Sequence, residues 1–128
     1  MSNEPLSPDP PRLIGCDWVI EDIVGRPILP DTPAMFRLDE GGRVSGRTGC
    51  NHFTGAAEVE GGSLRFGKLA LTRMLCPPPV MDQEQRLLQA LEATRTFTID
   101  ADGRLHLQGK FEPFLLRAKP RRGLAREG

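Results

Sequence analysis

Cys50, Asn51 and His52 stand side by side within "GRTGCNHFTG", residues 46 to 55. A thiol, an amide and an imidazole at adjacent positions offer two chemistries: a nucleophile with a neighbouring base, or part of a metal shell. The nucleophile lacks its supports. The other histidine, His106, falls on a hairpin strand, and no oxyanion loop is recognisable. The metal reading draws on Cys16, Cys50, Cys76, His52 and His106, of which only Cys50 and His52 are close in sequence. Structural zinc sites usually declare themselves by pairs such as C-x2-C, and none is present. Neither catalytic residue, metal nor cofactor is therefore expected, and the chain is expected not to be an enzyme.

A third reading is covalent. Cys50 and Cys76 each end a strand-like segment, and a bridge between them would close a loop of about 25 residues, contributing about 3 kcal/mol. The reduced alternative is a pair of buried thiols acting as small hydrophobes. Disulfide or thiol pair, the role is structural.

The elements that must position this cluster are short strands. "LDEGGRV" (38–44), "VEGGSL" (59–64) and "IDADGRL" (99–105) share one layout: apolar residue, acid, glycine-bearing turn, apolar residue. Each predicts a β-hairpin. Phe36 and Leu38 alternate with Arg37, and Phe53, Gly55, Ala57 and Val59 share one face. Leu64 and Phe66 fall out of phase with Leu69 and Leu71, which predicts a bulge at Gly67–Lys68. A first strand is expected around "DWVIEDI" and a last around "FLLRA".

One segment keeps a different period. In "PPPVMDQEQRLLQALEAT", Val80, Met81, Leu87, Leu88 and Leu91 recur at three and four, the mark of one amphipathic helix of about four turns. The proline run suits a helix start, and Asp82 with Gln85 offers a capping box if the helix opens later. The expected fold is α+β: a small, curled, half-barrel-like antiparallel sheet of about eight short strands, packed on one α-helix. Glu84 lies on the helix's apolar stripe, where a carboxylate needs partners. Arg73, Thr72, Asn51 and unpaired backbone N–H groups are candidates.

Composition narrows the function. The chain of 128 residues carries 17 basic and 17 acidic side chains, six Phe, one Trp and no Tyr. Balanced charge and few aromatics argue against nucleic-acid binding, and no apolar run is long enough for a membrane span. Residues 1–12 are Pro-rich and polar and are expected to be a disordered arm; residues 119–128 read as a basic flexible tail; one domain fills 13–118. "LIGC" (13–16) mimics a lipoprotein cleavage box, but the twelve residues before it lack a basic start and an apolar run.

With these residues assembled, the chain resembles a known family. "GCNHFTG" followed by "LTRMLCPPPVMDQEQRLLQAL" is similar to the signature of the META domain, found in HslJ-like heat-inducible proteins. "LIGCDWVIEDIVGRPI" resembles the family's opening strand and "FTIDADGRLHL" its closing hairpin, so the resemblance covers 13–118. It marks Gly49, Cys50, Asn51, Gly55, Thr72, Arg73, Met74, Cys76, Met81 and Glu84, while Cys16 stands where the family more often has a small polar residue. It implies a curled sheet with one helix, no established enzymatic activity, and a stress-response or cell-envelope setting. The missing leader points instead to the cytoplasm. A non-enzymatic binding or structural module is the expected function, with a polar brace of Asn51, Thr72, Arg73 and Glu84 joining the Cys50 corner to the helix. The alternative is a carrier of a small apolar ligand or lipid in a pocket between sheet and helix. The partner is expected to be a protein or a small apolar ligand, and the chain a monomer.

Overall fold

The computed structural model describes residues 12–121. Among them are nine strands and one helix: β1 Asp17–Ile23, β2 Arg26–Pro27, β3 Met35–Asp39, β4 Arg43–Arg47, β5 His52–Glu60, β6 Ser63–Leu71, α1 Pro78–Ala93, β7 Thr94–Ile99, β8 Leu105–Gly109 and β9 Leu116–Pro120. The three glycine-bearing turns join β3 to β4, β5 to β6 and β7 to β8 as antiparallel hairpins. The last strand sits two residues later than "FLLRA" and runs past the tail boundary at Ala118, because Lys119 and Pro120 pair with Val19 and Trp18. The remainder of the expected arm (1–11) and tail (122–128) lies outside the described residues.

The sheet curls further than a half-barrel. β1 pairs with β3 on one side and with β9 on the other, so eight strands form a ring with the two-residue β2 appended. Closure through β1 and β9 removes the exposed edges that an open sheet would leave there. It buries Trp18, Phe36, Phe53, Leu64, Leu105 and Leu107 almost completely. Trp18 meets its polar need by donating Nε1–H to the Leu13 carbonyl at 3.0 Å.

One joint in the ring is thin. β6 and β7 pair at a single position, Ser63 opposite Thr96. Beyond it the strands part and α1 stands alongside β6, packing against β6 and β1. The bulge lies on this wall: Gly55 faces Leu69 and Ala57 faces Phe66, so Gly67 and Lys68 together oppose Ala56. A bulge bends its strand and switches which residues turn inward. Leu64 and Phe66 point in before it, Leu69 and Leu71 after it.

The helix opens at the proline run, with Pro77 as N-cap and no side-chain cap, so Asp82 and Gln85 form no capping box. Asp82 instead pairs with Arg86 one turn on, at 3.1 Å. The buried face holds Gln83, Glu84, Leu87, Ala90 and Leu91, while Met81 and Leu88 are only half-buried. The stripe is thus rotated from the one read on Met81, Leu88 and Leu91. Burying Leu87 and Leu91 contributes about 2 kcal/mol each; the polar half must be matched by hydrogen bonds.

The β7–β8 turn carries its own lock. Asp100 takes the His106 ring Nε2 at 2.8 Å through Oδ2, and accepts the Asp102 and Arg104 N–H groups, each at 2.9 Å, through Oδ1. The His106 bond first, and the backbone bonds after it, hold the Asp100 carboxyl below its ordinary 3.8. A lowered carboxyl stabilises the fold above its unfolded value, and that contribution disappears as pH falls through the folded one. Asp100→Asn is expected to flatten the loss of stability below about pH 4. Denaturant titrations of both proteins across that range check it.

Candidate functional site

β4 ends at Arg47 and β5 begins at His52, so Thr48, Gly49, Cys50 and Asn51 form the turn between two paired strands. Thr48 organises that turn from within. Its Oγ1 accepts the N–H groups of Cys50 (3.1 Å) and Asn51 (2.8 Å), and its own N–H donates to the Asn51 carbonyl at 2.8 Å. Gly49 adopts φ +102°, and a Cβ there would lie 2.8 Å from the Gln83 side-chain nitrogen. Both the backbone and the close approach call for glycine. Gly55 serves the bulge: a Cβ there would meet Leu69 Cδ2 at 2.7 Å and the Lys68 carbonyl at 2.8 Å.

Cys50 and Cys76 are joined by a disulfide, their Cα atoms 6.1 Å apart and 26 positions apart in sequence. The bond ties the turn to the segment leading into α1, and Met81 Sδ lies 3.8 Å from Cys50 Sγ. A bonded sulfur supplies no thiolate, so Cys50 is not a nucleophile in this state. His52 is exposed on β5. Cys16 packs against the core beside β1. Among the described residues no three His, Cys, Asp or Glu side chains gather as a metal shell.

Asn51 is the hub. It is 3% exposed, and its amide uses both ends. Oδ1 accepts the Met74 N–H (2.7 Å) and the Thr72 hydroxyl (2.8 Å); Nδ2 donates to the Met74 carbonyl (3.3 Å) and to Glu84 Oε1 (2.9 Å). The side chain thus treats Met74 as a strand neighbour would. Glu84, 4% exposed, also accepts the Thr48 hydroxyl at 2.7 Å through the same oxygen. Two elements distant in sequence are welded through one carboxyl oxygen.

Of the residues expected in the brace, the structure brings together Asn51, Thr72 and Glu84 and leaves Arg73 out. Arg73 lies in the loop beyond the end of β6 at Leu71 and is exposed, while the neutral donors of Thr48 and Asn51 meet Glu84. Thr48 and Gln83 had not been anticipated. Gln83 is fully buried: Oε1 accepts the Leu29 N–H at 2.8 Å, while Nε2 donates to the carbonyls of Thr32 (3.1 Å) and Thr48 (3.2 Å). It pins the loop before β3 to the same corner. A threonine two positions before Cys50 was a legible turn signal; nothing local distinguished Gln83 from its neighbour Gln85.

The corner borders an opening. Where β6 and β7 part, two adjoining cavities of about 510 and 560 Å³ run between β6 and α1, sharing Lys68, Leu69, Leu71 and Leu88. Volumes of this order suit small ligands or a few residues of peptide. Phe66 and Glu92 close one end, and Asn51, Met74, Met81 and Glu84 the other. Leu75 beside it is 92% exposed and Met74 56%.

The META-domain family model matches residues 11–120. The chain belongs to the META-domain family. It is 31% identical over 84 residues to heat shock protein HslJ of Escherichia coli (strain K12), a match covering 65% of this chain and 59% of HslJ. The matched stretch therefore spans less than two thirds of that relative. An NMR structure of a protein from Burkholderia xenovorans superposes with a TM-score of 0.67 at 25% identity, covering 94% of this chain and 95% of the other. A second NMR structure gives 0.67 at 26% identity, covering 88% of this chain and 95% of its own. The antiparallel META-domain sheet with its single helix is thus shared with solved structures. Among the described residues no helix is long and apolar enough to cross a membrane.

Proposed function

We propose that this META-domain protein is a non-enzymatic binding module whose receptive surface is the groove between β6 and α1, with the Cys50–Asn51–Glu84 corner as its fixed end. One observation carries the reading. The polar side chains of the corner spend their hydrogen bonds on one another, whereas the groove beside them is lined by Phe66, Leu69, Leu71, Met81 and Leu88 with nothing packed over them. A site for bond chemistry leaves its reactive groups open to a substrate; here the reactive types of the corner are bonded to each other, and the groove joins an apolar floor to Lys68, Arg73, Gln85 and Glu92. The disulfide suits an oxidising compartment, in keeping with a cell-envelope setting.

The probe that tests this is anilinonaphthalene sulfonate, which fluoresces on apolar surfaces. Saturable binding is expected, weakened at least about tenfold in Leu69→Asp and in Leu88→Asp, since each sets a charge in an apolar wall. Circular dichroism checks that the variants fold. Absence of a saturable site, or equal binding by the folded variants, would refute the groove. The apolar lining also favours a second reading, carriage of a lipid or other small apolar ligand. Native mass spectrometry of freshly purified protein should then reveal co-purified lipid, and a clean apo mass across purification conditions counts against it.

A further inference from the structure

We infer that the groove takes an extended peptide of a partner protein, which adds a strand to the open edge of β6; this rests on the groove reading above. The Thr72 N–H donates to the His52 carbonyl on β5 at 3.0 Å. Backbone groups of an antiparallel strand turn to alternate sides, so Ala70 faces β5 with Thr72, and Leu69 and Leu71 turn their N–H and C=O groups the other way. On that side β7 has already parted at Ser63–Thr96, and what stands there is α1 across the two cavities. An unpaired strand edge facing a helix across an apolar trough offers an incoming strand both backbone partners and side-chain pockets. A lipid would fill the trough and leave the edge unmatched.

The dimensions and charges narrow the occupant. Gly67 to Leu71 spans about 13 Å of extended chain and Met81 to Glu92 about 17 Å of helix, which accommodates about four to five peptide residues. Side chains pointing into the trough meet Leu69, Leu71 and Leu88 and must be apolar. The alternate ones point out beside the exposed face of β6, where Arg65 and Lys68 make no ion pair among the described residues. Opposite charges on neighbouring strands attract. The peptide therefore alternates apolar residues with outward ones that include an acid opposite Lys68.

A phage-displayed library of random octapeptides, selected on the whole protein and counter-selected on Leu69→Asp, tests this. Enrichment of alternating apolar sequences bearing Asp or Glu is expected. In a synthetic peptide from that pool, N-methylation at every second position should weaken binding at least about fivefold, with the positions between unaffected. Lys68→Glu should reverse the charge preference, so that the peptide with its acid replaced by lysine binds the variant better than wild type. The inference is overturned if nothing enriches on wild type over Leu69→Asp, if sensitivity recurs every third or fourth position as in a helix, or if β6 edges pair two copies of this chain in sedimentation. Saturable anilinonaphthalene sulfonate binding without peptide selection removes the peptide alone. Loss of both removes the groove.

Discussion

Asn51→Ala is expected to destabilise the protein by about 3 to 5 kcal/mol, the largest effect of any truncation at the corner. The substitution removes five hydrogen bonds at once, one of them to the Cys50 sulfur. It strands the Met74 N–H and takes one of two donors from a Glu84 carboxyl that is nearly sealed from water. Glu84→Leu is expected to cost less, about 1 to 2 kcal/mol, because Thr48 and Asn51 keep other partners and leucine fills an apolar neighbourhood. The order matters more than the sizes: the amide is the hub and the acid one of its clients. In a double-mutant cycle by urea denaturation, Asn51→Ala and Glu84→Ala together should depart from the sum of the single changes by more than about 0.5 kcal/mol. Simple additivity would dissolve the brace.

Replacing both bridged cysteines by alanine should cost about 3 kcal/mol, since the bond restrains a loop of 26 residues' separation in the unfolded chain. In a domain of this size that lowers Tm by about 10 °C. The loss should also be uneven. Hydrogen exchange is expected to accelerate in the segment from Thr72 to Met81, which the bond holds to the β4–β5 turn, while the β1–β9 ladder on the far side of the ring keeps its protection. A uniform acceleration would mean that the bond steadies the whole barrel and has no special charge of the groove's end.

Local features were the readable part of this sequence. Each hairpin is written in its own glycine turn, the helix in its period, and the bulge at Gly67–Lys68 in the phase slip between Phe66 and Leu69. None of these needs knowledge of distant residues. Closure of the ring does: Val19 against Lys119 and Ile23 against Leu116 are pairings across almost the whole chain, and neither strand advertises the other. The site divides the same way. Asn51, Glu84 and the two cysteines stand out because an acid on an apolar stripe, a thiol and amide after a glycine, and a thiol before a proline run are unusual, whereas Gln83 looks like any helical glutamine until the loop at Leu29 and Thr32 is folded onto it. Arg73 misled for the opposite reason. A cation near an orphan acid is the obvious partner, but Arg73 lies exposed in the loop after β6, and the neutral donors of Thr48 and Asn51 meet the acid instead.

We propose the trough between β6 and α1 as the place where this META domain meets its partner, with the thiol-bearing corner as scaffolding. Amide shifts of ¹⁵N-labelled protein titrated with anilinonaphthalene sulfonate test it most directly. The largest changes are expected along β6 at Leu69 and Leu71 and on the helix at Leu88, with the ring strands opposite left still. Shifts gathered instead around the exposed Phe111 and Phe114, in the loop between β8 and β9, would contradict it.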